Sequence, residues 1–575
     1  MRKNWPAPLP KSTHLPSVRY DAAMRILPQR WRVPALLAIA AVVANAGHVR
    51  IPIGGDDAYI IPNLLSPNPL RFLFAFHYDA PSDDFMPWYM GVVYQRRFLR
   101  LPACALLAIE ARLFGGNGFG YHAVTLLLVI ATLLVVYRLF RDGIGDRTVA
   151  CVALLPVACH PAAGEIVSKV SCQPIAFAGL FSVLAVQAWV GWRRTERRTA
   201  LAASLAAAFT AMTSYEGAVV LPLLVVIGDL WLARDAGWRS HIAMLALIAA
   251  YLPAAGAARF DLVHPETQPM RPLGVVLESI RIDGGNYLLK LFGLYDTNES
   301  IRYALYNYAG EVPALAIALS LVALVVVAAR RMAWALLGAA AFIALLAPPL
   351  LMRAAVARLN VPSLRQLYLP LVLGASVMTL AIAATPSARR LRFTLLGAFA
   401  AWLLVQDIRA SHTPFSLARE SIGPKVRSLL AGHDESRTLI VIGNSPCGYS
   451  VRLDTGAPIV RPFPTAQRNQ LPSITVVDDV TLDAVAPGGF DIAVDHPLEQ
   501  LDDGARYSPG GSRVLRMPAF GPDGIVRIRG ATIRVVARDD TKITELRASF
   551  DAPLSASTVI LLDGCKDARV LPATR

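Results

Sequence analysis

The chain has 575 residues, of which 55% are apolar and only 17% are charged, and its mean hydropathy is +0.46. Soluble globular proteins carry about 25% charged residues and disordered chains lack this much apolar surface, so the composition excludes both a single soluble domain and a disordered chain. The formal charge of +15 also occurs in nucleic-acid-binding proteins, and the positions of the basic residues decide whether it has that meaning here.

Long apolar segments follow one another through the first two thirds of the chain. A helix needs about 20 apolar residues to cross the hydrocarbon core of a bilayer, and proline is tolerated in such helices. The sequence therefore predicts an α-helical polytopic membrane protein with about eleven transmembrane helices. They lie near residues 33-49, 119-138, 148-160, 174-192, 199-213, 217-233, 241-257, 312-329, 333-351, 367-385 and 393-407.

Basic residues in the short connections predict the orientation of these helices, because positively charged loops stay in the cytoplasm. Residues 1-32 contain seven basic residues and one acid, Asp21, and basic groups such as RRTERR at 193-198 recur at every second connection. We expect a multi-pass protein of a bacterial inner membrane with a cytoplasmic N-terminus, and no nucleic acid as partner. A cleaved signal peptide over residues 1-46 is the alternative, because ANAG near Ala44 is typical of a cleavage site.

The pattern divides the chain into three parts. They are a basic cytoplasmic arm at 1-32, a transmembrane domain at 33-407 with outer loops at 50-118 and 258-311, and a tail at 408-575. The tail contains short β-rich runs such as TLIVIG and STVILLDG between turn residues, so we expect a soluble, mostly β or α+β, extracytoplasmic domain that is periplasmic in a bacterium. Cys447 and Cys565 lie there, and a disulfide between them and two free thiols both remain open.

The first outer loop begins with GGDDAY, which places Asp56 and Asp57 just beyond the first predicted span. Two adjacent carboxylates repel each other, so at least one has a raised pKa unless a cation compensates. A carboxylate in that state suits a general base. An ordinary solvated Asx turn is the alternative interpretation.

Several arginines on the predicted outer side run against the positive-inside trend. Arg96, Arg97 and Arg100 lie in the first outer loop, and Arg358 and Arg365 lie in ARLNVPSLRQLYLP. A guanidinium binds phosphate through two parallel hydrogen bonds, so these residues predict an anionic ligand. For any single one of them, the alternative is a side chain that snorkels to lipid headgroups.

Further ionisable residues fall where predicted spans break on the outer side. His160, Glu165 and Lys169 lie in HPAAGEIVSK, and Glu216 lies in TSYEG. Ionisable groups at the end of a broken membrane helix are candidates for function, whereas a lone glutamate at a helix end is often only a cap or a dipole partner. Together with the aspartate pair, the two glutamates predict an acidic cluster.

Five motifs occur in the order GGDDAY, ARLFGGNGFGYH, CHPAAGEIVSK, TSYEGAVVLPLL and LRQLYLP. In this order they resemble the GT-C superfamily of integral-membrane glycosyltransferases, over about residues 33-385. The nearest likeness is to protein mannosyltransferases and aminoarabinose transferases. Departures from the motifs are Tyr215 in place of a lysine, Thr125 in place of an asparagine and Gln173 in place of an arginine.

The resemblance assigns roles to individual residues. The matching positions are Asp56 with Asp57 for the loop-one acid, Arg100 for the following arginine, His122 for GYH, His160 and Glu165 for HPxxxE, Glu216 for the second acid, and Arg365 with Tyr368 for R-x-x-Y-L-P. It implies a catalytic group of Asp56, Asp57 and Glu165. It also implies a donor phosphate site of Arg365, Arg100, Arg358 and Lys169, and substrate contacts from His160, Glu216, Tyr368 and His122.

The implied reaction is transfer of a sugar from a polyprenyl-phosphate-linked donor in the membrane to an acceptor protein, lipid or glycan on the extracytoplasmic face. Asp56 takes the acceptor proton, Arg365 or Arg100 binds the leaving phosphate, and the sugar carbon inverts. The resemblance implies no certain cofactor, and metal dependence stays open, because some relatives hold a divalent cation at the aspartate pair, for which Asp56, Asp57 and Glu165 offer oxygen ligands.

Two other functions fit parts of the pattern. A flippase or transporter of a lipid-linked sugar would use the same arginines and acids without making a bond, but transporters often contain internal repeats and charged midplane residues, and the sequence has no repeat. A scaffold built around the tail would leave the loop motifs without a role. The enzyme is therefore the preferred hypothesis.

Overall fold

A computed structural model describes residues 29–51, 53, 57–80, 94–232, 238–257, 287, 290–293, 333–356, 364–385, 389–411, 428, 438–443, 459–460, 473–486, 525–528, 531–538, 543–554, 557–563 and 567–570. Within these residues, the predicted membrane domain is helical and the tail forms β-sheets. Residues 1–28, most of the loop 258-311, and the two tail cysteines lie outside the described residues.

The helices of the membrane domain are α1 (Gln29–Asn45), α2 (Asp57–Leu65), α3 (Pro69–Leu73), α4 (Leu101–Phe114), α5 (Gly118–Ile144), α6 (Arg147–Ala158), α7 (Pro161–Val167), α8 (Gln173–Thr195), α9 (Arg198–Met212), α10 (Leu221–Leu232), α11 (Trp238–Ala257), α12 (Ala333–Val356), α13 (Ser376–Ala384) and α14 (Arg389–Ser411). Short 3-10 turns lie at His48–Arg50, Val170–Cys172, Glu216–Val220 and Leu364–Leu367. A π-helical stretch, Pro370–Ala375, precedes α13.

Four helical segments in the described part of the chain are long and apolar enough to cross a bilayer. They are Gly118–Ile144, Val170–Thr195, Leu364–Ala384 and Arg389–Ser411. Helices α6 and α7, which meet at a 60° bend, pass the same test as a pair. Every predicted segment except 312-329, which lies outside the described residues, overlaps a described helix. The number eleven stays a prediction, because helices such as α9 and α10 are shorter than a bilayer crossing.

The helices pack around an apolar core and present apolar side chains outwards. Buried residues such as Leu133, Leu154 and Ile166 form one continuous cluster. Large apolar side chains are nevertheless exposed, including Leu127 on α5 and Ile343 on α12. An exposed apolar surface of this kind marks contact with a membrane or a partner, which agrees with the predicted membrane domain.

The described part of the first outer loop forms a small layer on top of these helices. Helices α2, α3 and α4 enclose apolar residues such as Ile60, Leu64 and Leu107, which pack against Tyr121 of α5. A short antiparallel pair of strands, β1 (His77–Ala80) and β2 (Tyr94–Arg97), belongs to the same loop. The described part of the loop therefore packs against the N-terminal end of α5 and the turn before α8.

The tail contains two sheets. Strands β5 (Ser473–Asp478), β6 (Thr481–Val485), β7 (Ile525–Ile528), β8 (Ala531–Arg538) and β9 (Ile543–Phe550) form an antiparallel sheet in the order β5-β6-β9-β8-β7. Strands β3 (Thr438–Gly443), β4 (Ile459–Val460), β10 (Ser557–Asp563) and β11 (Asp567–Val570) form a mixed sheet in the order β11-β10-β3-β4. The predicted change from helix to strand in the tail is observed.

Candidate functional site

The first part of the site lies where α7 meets the 3-10 turn that carries Arg365. Glu165 Oε1 accepts a hydrogen bond from Lys169 Nζ at 2.8 Å, and Glu165 Oε2 accepts one from the backbone N–H of Arg365 at 2.9 Å. The Arg365 guanidinium lies 3.5 Å from Cys172 Sγ through Nη1. One carboxylate thus joins two predicted phosphate-binding residues that are far apart in the sequence.

His160 determines where α7 begins and therefore where Glu165 lies. Its Nδ1 accepts a hydrogen bond from the backbone N–H of Ala162 at 3.0 Å, and its Nε2 lies 3.2 Å from the carbonyl oxygen of Leu291. These two contacts assign the proton to Nε2. Pro161 follows at the first helical position, where its missing N–H costs nothing. The predicted substrate residue His160 is buried and caps a helix.

The second part of the site is the pair formed by Arg100 and Glu216. Arg100 Nη2 lies 2.9 Å and 3.2 Å from the two carboxylate oxygens of Glu216. The guanidinium also stacks 4.3 Å from the ring centre of Phe98 and 4.7 Å from that of Phe76, as cation–π geometry requires. Burial disfavours the charge on Arg100, but Glu216 outweighs burial and raises the pKa of the guanidinium.

Tyr215 lies between the two parts. Its hydroxyl is in electrostatic range of Arg100, Glu216, Arg365 and Cys172, and burial raises its pKa, with Glu216 adding to the effect. The phenol is therefore neutral. It stands where the motif resemblance expects a lysine, and the sequence alone assigned it no role.

Together these contacts define what we call the cation cluster: Arg100, Lys169 and Arg365 with Glu165 and Glu216. Burial disfavours the charge on Lys169, but Glu165 outweighs burial and raises its pKa, so the ammonium stays charged. The cluster thus brings three cations together, and guanidinium and ammonium groups bind phosphate oxygens.

Asp57 lies beside this cluster but faces the start of the next span. Its Oδ1 accepts a hydrogen bond from the backbone N–H of Ser171 at 2.7 Å and its Oδ2 one from Val170 at 3.2 Å. The side chain is 1% exposed. The first N–H groups of a helix have no helical partners. A carboxylate beside them also interacts favourably with the positive end of the helix dipole. Asp57 thus fixes the N-terminal end of α8.

Some predicted site residues lie outside this description or outside the cation cluster. Asp56 and Arg358 lie outside the described residues, so their roles stay predictions. Among the described residues, no group of three His, Cys, Asp or Glu side chains has the arrangement of a metal site. The cation at Asp56 and Asp57 is untested, and both oxygens of Asp57 already accept N–H groups.

His122 and Tyr368 have contacts of a structural kind. His122 Nε2 lies 2.9 Å from the carbonyl oxygen of Ile51, which ties the first outer loop to α5. Tyr368 is buried in the apolar core. Its ring lies directly over Gly179 of α8, where a Cβ atom would come within 2.6 Å of Tyr368 Cε1. Neither residue has a described contact with the cation cluster.

A buried carboxyl group missed by sequence analysis lies on the other side of α8. Glu110 of α4 accepts hydrogen bonds from Gln173 Nε2 at 2.8 Å and 2.9 Å. Burial raises the pKa of Glu110 to about 7, although the bond from Gln173 opposes the shift. The signal was available, because Gln173 replaces the arginine that the motif favours, but its partner lies 63 positions earlier.

A second missed pair, His48 and Asp407, joins α14 to the turn after α1. Nε2 of His48 lies 2.9 Å from Oδ1 of Asp407, and both side chains are buried. Gly164 packs against this pair so closely that a Cβ atom would lie 2.3 Å from each of these two atoms. The glycine of HPAAGE therefore makes room for the pair. An aspartate within an apolar span was the available signal.

Comparisons with known proteins give structural likenesses only. No protein-family model and no curated protein matches the chain. Among solved structures, the archaeal oligosaccharyltransferase AglB from Archaeoglobus fulgidus, in complex with an inhibitory peptide and a dolichol-phosphate, matches with 12% identity and a TM-score of 0.41 over 74% of this chain and 63% of that one. This chain thus spans less than two thirds of the length of that enzyme.

Two further solved structures are similar at the same level. ArnT from Cupriavidus metallidurans bound to undecaprenyl phosphate has 13% identity and a TM-score of 0.33, over 75% of this chain and 86% of that one. The arabinosyltransferase EmbB from Mycobacterium smegmatis has 12% identity and a TM-score of 0.31, over 97% of this chain and 64% of that one.

The first of these neighbours is an oligosaccharyltransferase and the last is an arabinosyltransferase. Their identities lie below 25% and their TM-scores below 0.5, so the function of this chain is inferred from its own residues.

Proposed function

We propose that the chain is a membrane glycosyltransferase that moves a sugar from a polyprenyl-phosphate-linked donor to an acceptor on the extracytoplasmic face. The observation that carries this proposal is the cation cluster. Arg100, Lys169 and Arg365 come from three distant motifs and gather with Glu165 and Glu216 at one end of the helices. The neighbours solved with dolichol-phosphate and undecaprenyl phosphate are consistent with a lipid phosphate as ligand.

Arg365 and Lys169 bind the phosphate of the donor in this proposal, with Arg100 as a further contact. Negative charge grows on the phosphate as the glycosidic bond breaks, and cations fixed in advance stabilise that charge best. Glu165 supports this geometry because it binds the backbone of Arg365 and leaves the guanidinium to other partners. Arg358, two positions after α12 ends at Val356, is a further candidate.

Asp56 acts as the general base that takes the proton of the acceptor hydroxyl. Its neighbour Asp57 accepts two backbone N–H groups, which supports a division of the pair into one anchoring and one reacting carboxylate. One base and no covalent intermediate imply inversion at the sugar carbon. Glu216 and the neutral phenol of Tyr215 are the polar groups placed to contact the sugar.

The test is glycosyl transfer by the purified chain with polyprenyl-phosphate-linked sugars and candidate acceptors. We expect Asp56→Asn to lower kcat about 10²- to 10⁴-fold, as loss of a general base does, and Arg365→Ala to lower it about 10²- to 10³-fold. Arg365→Ala keeps the backbone N–H that Glu165 binds, so its effect isolates the guanidinium.

Arg112→Gln is the matched control. Arg112 also lies in the first outer loop, but it stacks on Phe72 and bonds within α4, so we expect wild-type transfer. Full activity of Asp56→Asn would remove Asp56 as the base. If the wild-type chain transfers no sugar and instead moves the donor between leaflets, the flippase hypothesis replaces the enzyme.

A further inference from the structure

A groove with a volume of about 540 Å³ opens between α5, α8 and α9, at the ends of these helices remote from the cation cluster. Helix α8 begins beside the cluster and ends at the groove, where Arg194 lines the wall. With a rise of 1.5 Å per residue, the two ends of α8 are about 30 Å apart. The groove is therefore separate from the proposed donor site.

The groove has an apolar wall and a basic rim. Leu139, Leu184 and Val190 line it together with Arg138 and Arg194, which come from two adjacent helices. Its one acid, Asp142, lies 2.6 Å from Arg141 and 3.8 Å from Arg138. Since two arginines already balance this carboxylate, the rim keeps an excess of positive charge.

Arg138 lines the groove from within α5. It is the last residue of the predicted span 119-138 and lies six residues, or about 9 Å, before the helix ends at Ile144. Its side chain is 66% exposed at the groove. Asp142 lies 3.8 Å from it, and an arginine side chain has five N–H donors, so this exposed guanidinium still offers donors to an anionic group in the groove.

A second, apolar cavity of about 180 Å³ adjoins the groove. The two cavities share Leu139 and Val190 as lining residues. The cavity is lined mainly by aliphatic side chains, and its polar end is held by Asp229, which lies 3.0 Å from Arg193 and 2.8 Å from His241. Apolar cavities of this kind stay dry and accept apolar groups.

We propose that these two cavities form a binding site for one anionic phospholipid of the leaflet on that side. The headgroup phosphate binds Arg138 and Arg194, and one acyl chain enters the apolar cavity. Basic pockets between transmembrane helices recognise anionic headgroups in this way. A soluble anion would use the rim but not the apolar cavity, so the combination of the two favours a lipid.

The apolar cavity also connects this lipid to the cation cluster. Val372 and Leu373, which line it, belong to the π-helical stretch Pro370–Ala375. That stretch follows the turn carrying Arg365 with only two residues between them. Through this cavity the acyl chain would contact the stretch that follows the turn of Arg365.

The test is retention of phosphatidylglycerol or phosphatidylcholine, with identical acyl chains, by the purified full chain in native mass spectrometry. We expect one phosphatidylglycerol to bind about 30-fold more tightly than phosphatidylcholine, because each basic residue near an anionic surface contributes roughly a factor of five. The double variant Arg138→Gln with Arg194→Gln loses this preference. Ala203→Phe, at an exposed position of the groove wall, fills the groove without changing its charge and weakens both lipids.

The matched control is Arg147→Gln with Arg198→Gln, which removes two arginines from the same end of the helices but not from the groove. We expect this control to retain the wild-type preference. Equal binding of the two lipids by the wild-type chain, or the same loss in the control, overturns the proposal. Displacement of phosphatidylglycerol by an equal amount of polyprenyl phosphate also overturns it, because the groove would then be a donor site.

Discussion

Two pairs of carboxylates flank the N-terminal end of α8, and they have opposite environments. Asp57 and Glu110 accept hydrogen bonds from neutral groups, the backbone N–H groups of Val170 and Ser171 and the amide of Gln173. Glu165 and Glu216 bind cations, Lys169 and Arg100. The first pair, which we call the anchoring acids, holds the start of the span in place, Asp57 through backbone N–H groups and Glu110 through the side chain of Gln173. The second pair, the site acids, positions charged groups.

These different environments predict different roles for the two pairs of acids. Removing an acceptor from buried N–H groups is costly, because these donors find no water to replace it. The ion pair of Glu165 with Lys169, whose side chain is 38% exposed, contributes little to stability, but such pairs set the charge and the direction of cations in a site. Anchoring acids should therefore affect stability, and site acids should affect activity.

Asp57→Ala gives the largest expected effect on stability. It leaves two buried N–H groups unsatisfied at about 2 kcal/mol each, so we expect the free energy of unfolding to fall by about 4 kcal/mol. Asp57→Asn keeps one acceptor oxygen and should lose about half as much. Thermal unfolding in detergent measures both, and an unchanged midpoint for Asp57→Ala would show that Asp57 does not anchor α8.

Glu110→Gln has the next largest expected effect on stability, and the size of this effect depends on pH. The pKa of Glu110 in the folded chain, about 7, lies above its ordinary value of 4.5, so the folded state binds this proton more tightly than the unfolded state does. The contribution of Glu110 to stability therefore falls as the pH rises from 4.5 to about 7, by about 3 kcal/mol in total.

The glutamine variant lacks this titration. We expect its midpoint of thermal unfolding to exceed that of the wild-type chain at pH 8 and to approach the wild-type value at pH 5. The variant Glu165→Gln serves as the control, since Glu165 is bound to a cation. If the unfolding midpoints of the wild-type chain and of Glu110→Gln changed in parallel between pH 5 and pH 8, Glu110 would be ionised over this whole range and its pKa would not be raised.

Glu216→Gln should destabilise the chain by about 1.5 kcal/mol, because the bond from Arg100 changes from charged to neutral. The transfer rate should fall more than this loss of stability explains, since Arg100 then lacks the carboxylate that orients it. A double-mutant cycle with Arg100→Gln measures the coupling. Additive losses would show that the two residues act independently.

Lys169→Gln has the smallest expected effect on stability, below about 1 kcal/mol, because the Lys169 side chain is 38% exposed. The affinity for polyprenyl phosphate should nevertheless fall about tenfold, as loss of one charge-assisted bond implies. Binding at two salt concentrations checks this, because the wild-type affinity should be the more sensitive to salt. If Lys169→Gln lowered the free energy of unfolding more than Asp57→Ala does, the proposed contrast between anchoring acids and site acids would be wrong.

Much of the helical part could be predicted from apolar patterning alone. Segments such as 119-138 and 174-192 lie within α5 and α8 because a run of apolar residues of that length has few alternatives to a helix in a membrane. Shorter segments such as 217-233 form helices that are too short for a bilayer crossing, because proline and 3-10 turns shorten them. The count of spans depends on these short helices, so hydropathy does not decide it.

The candidate site was likewise only partly predictable from the sequence. The gathering of Glu165, Arg365 and Glu216 followed from the order of charged motifs, because ionisable residues in membrane segments seek one another. The backbone contacts of Asp57 and His160 left no trace in the sequence, since an N–H group or a carbonyl oxygen is present at nearly every position. Roles set by partners on the backbone therefore require coordinates.

The most direct test of the proposed site is the structure of the chain in complex with a polyprenyl phosphate, determined by cryo-electron microscopy. Our account predicts phosphate density within hydrogen-bonding distance of Arg365 and Lys169, beside the start of α8. Phosphate density at the other end of α8, beside Arg138 and Arg194, with none at the cation cluster, would contradict it.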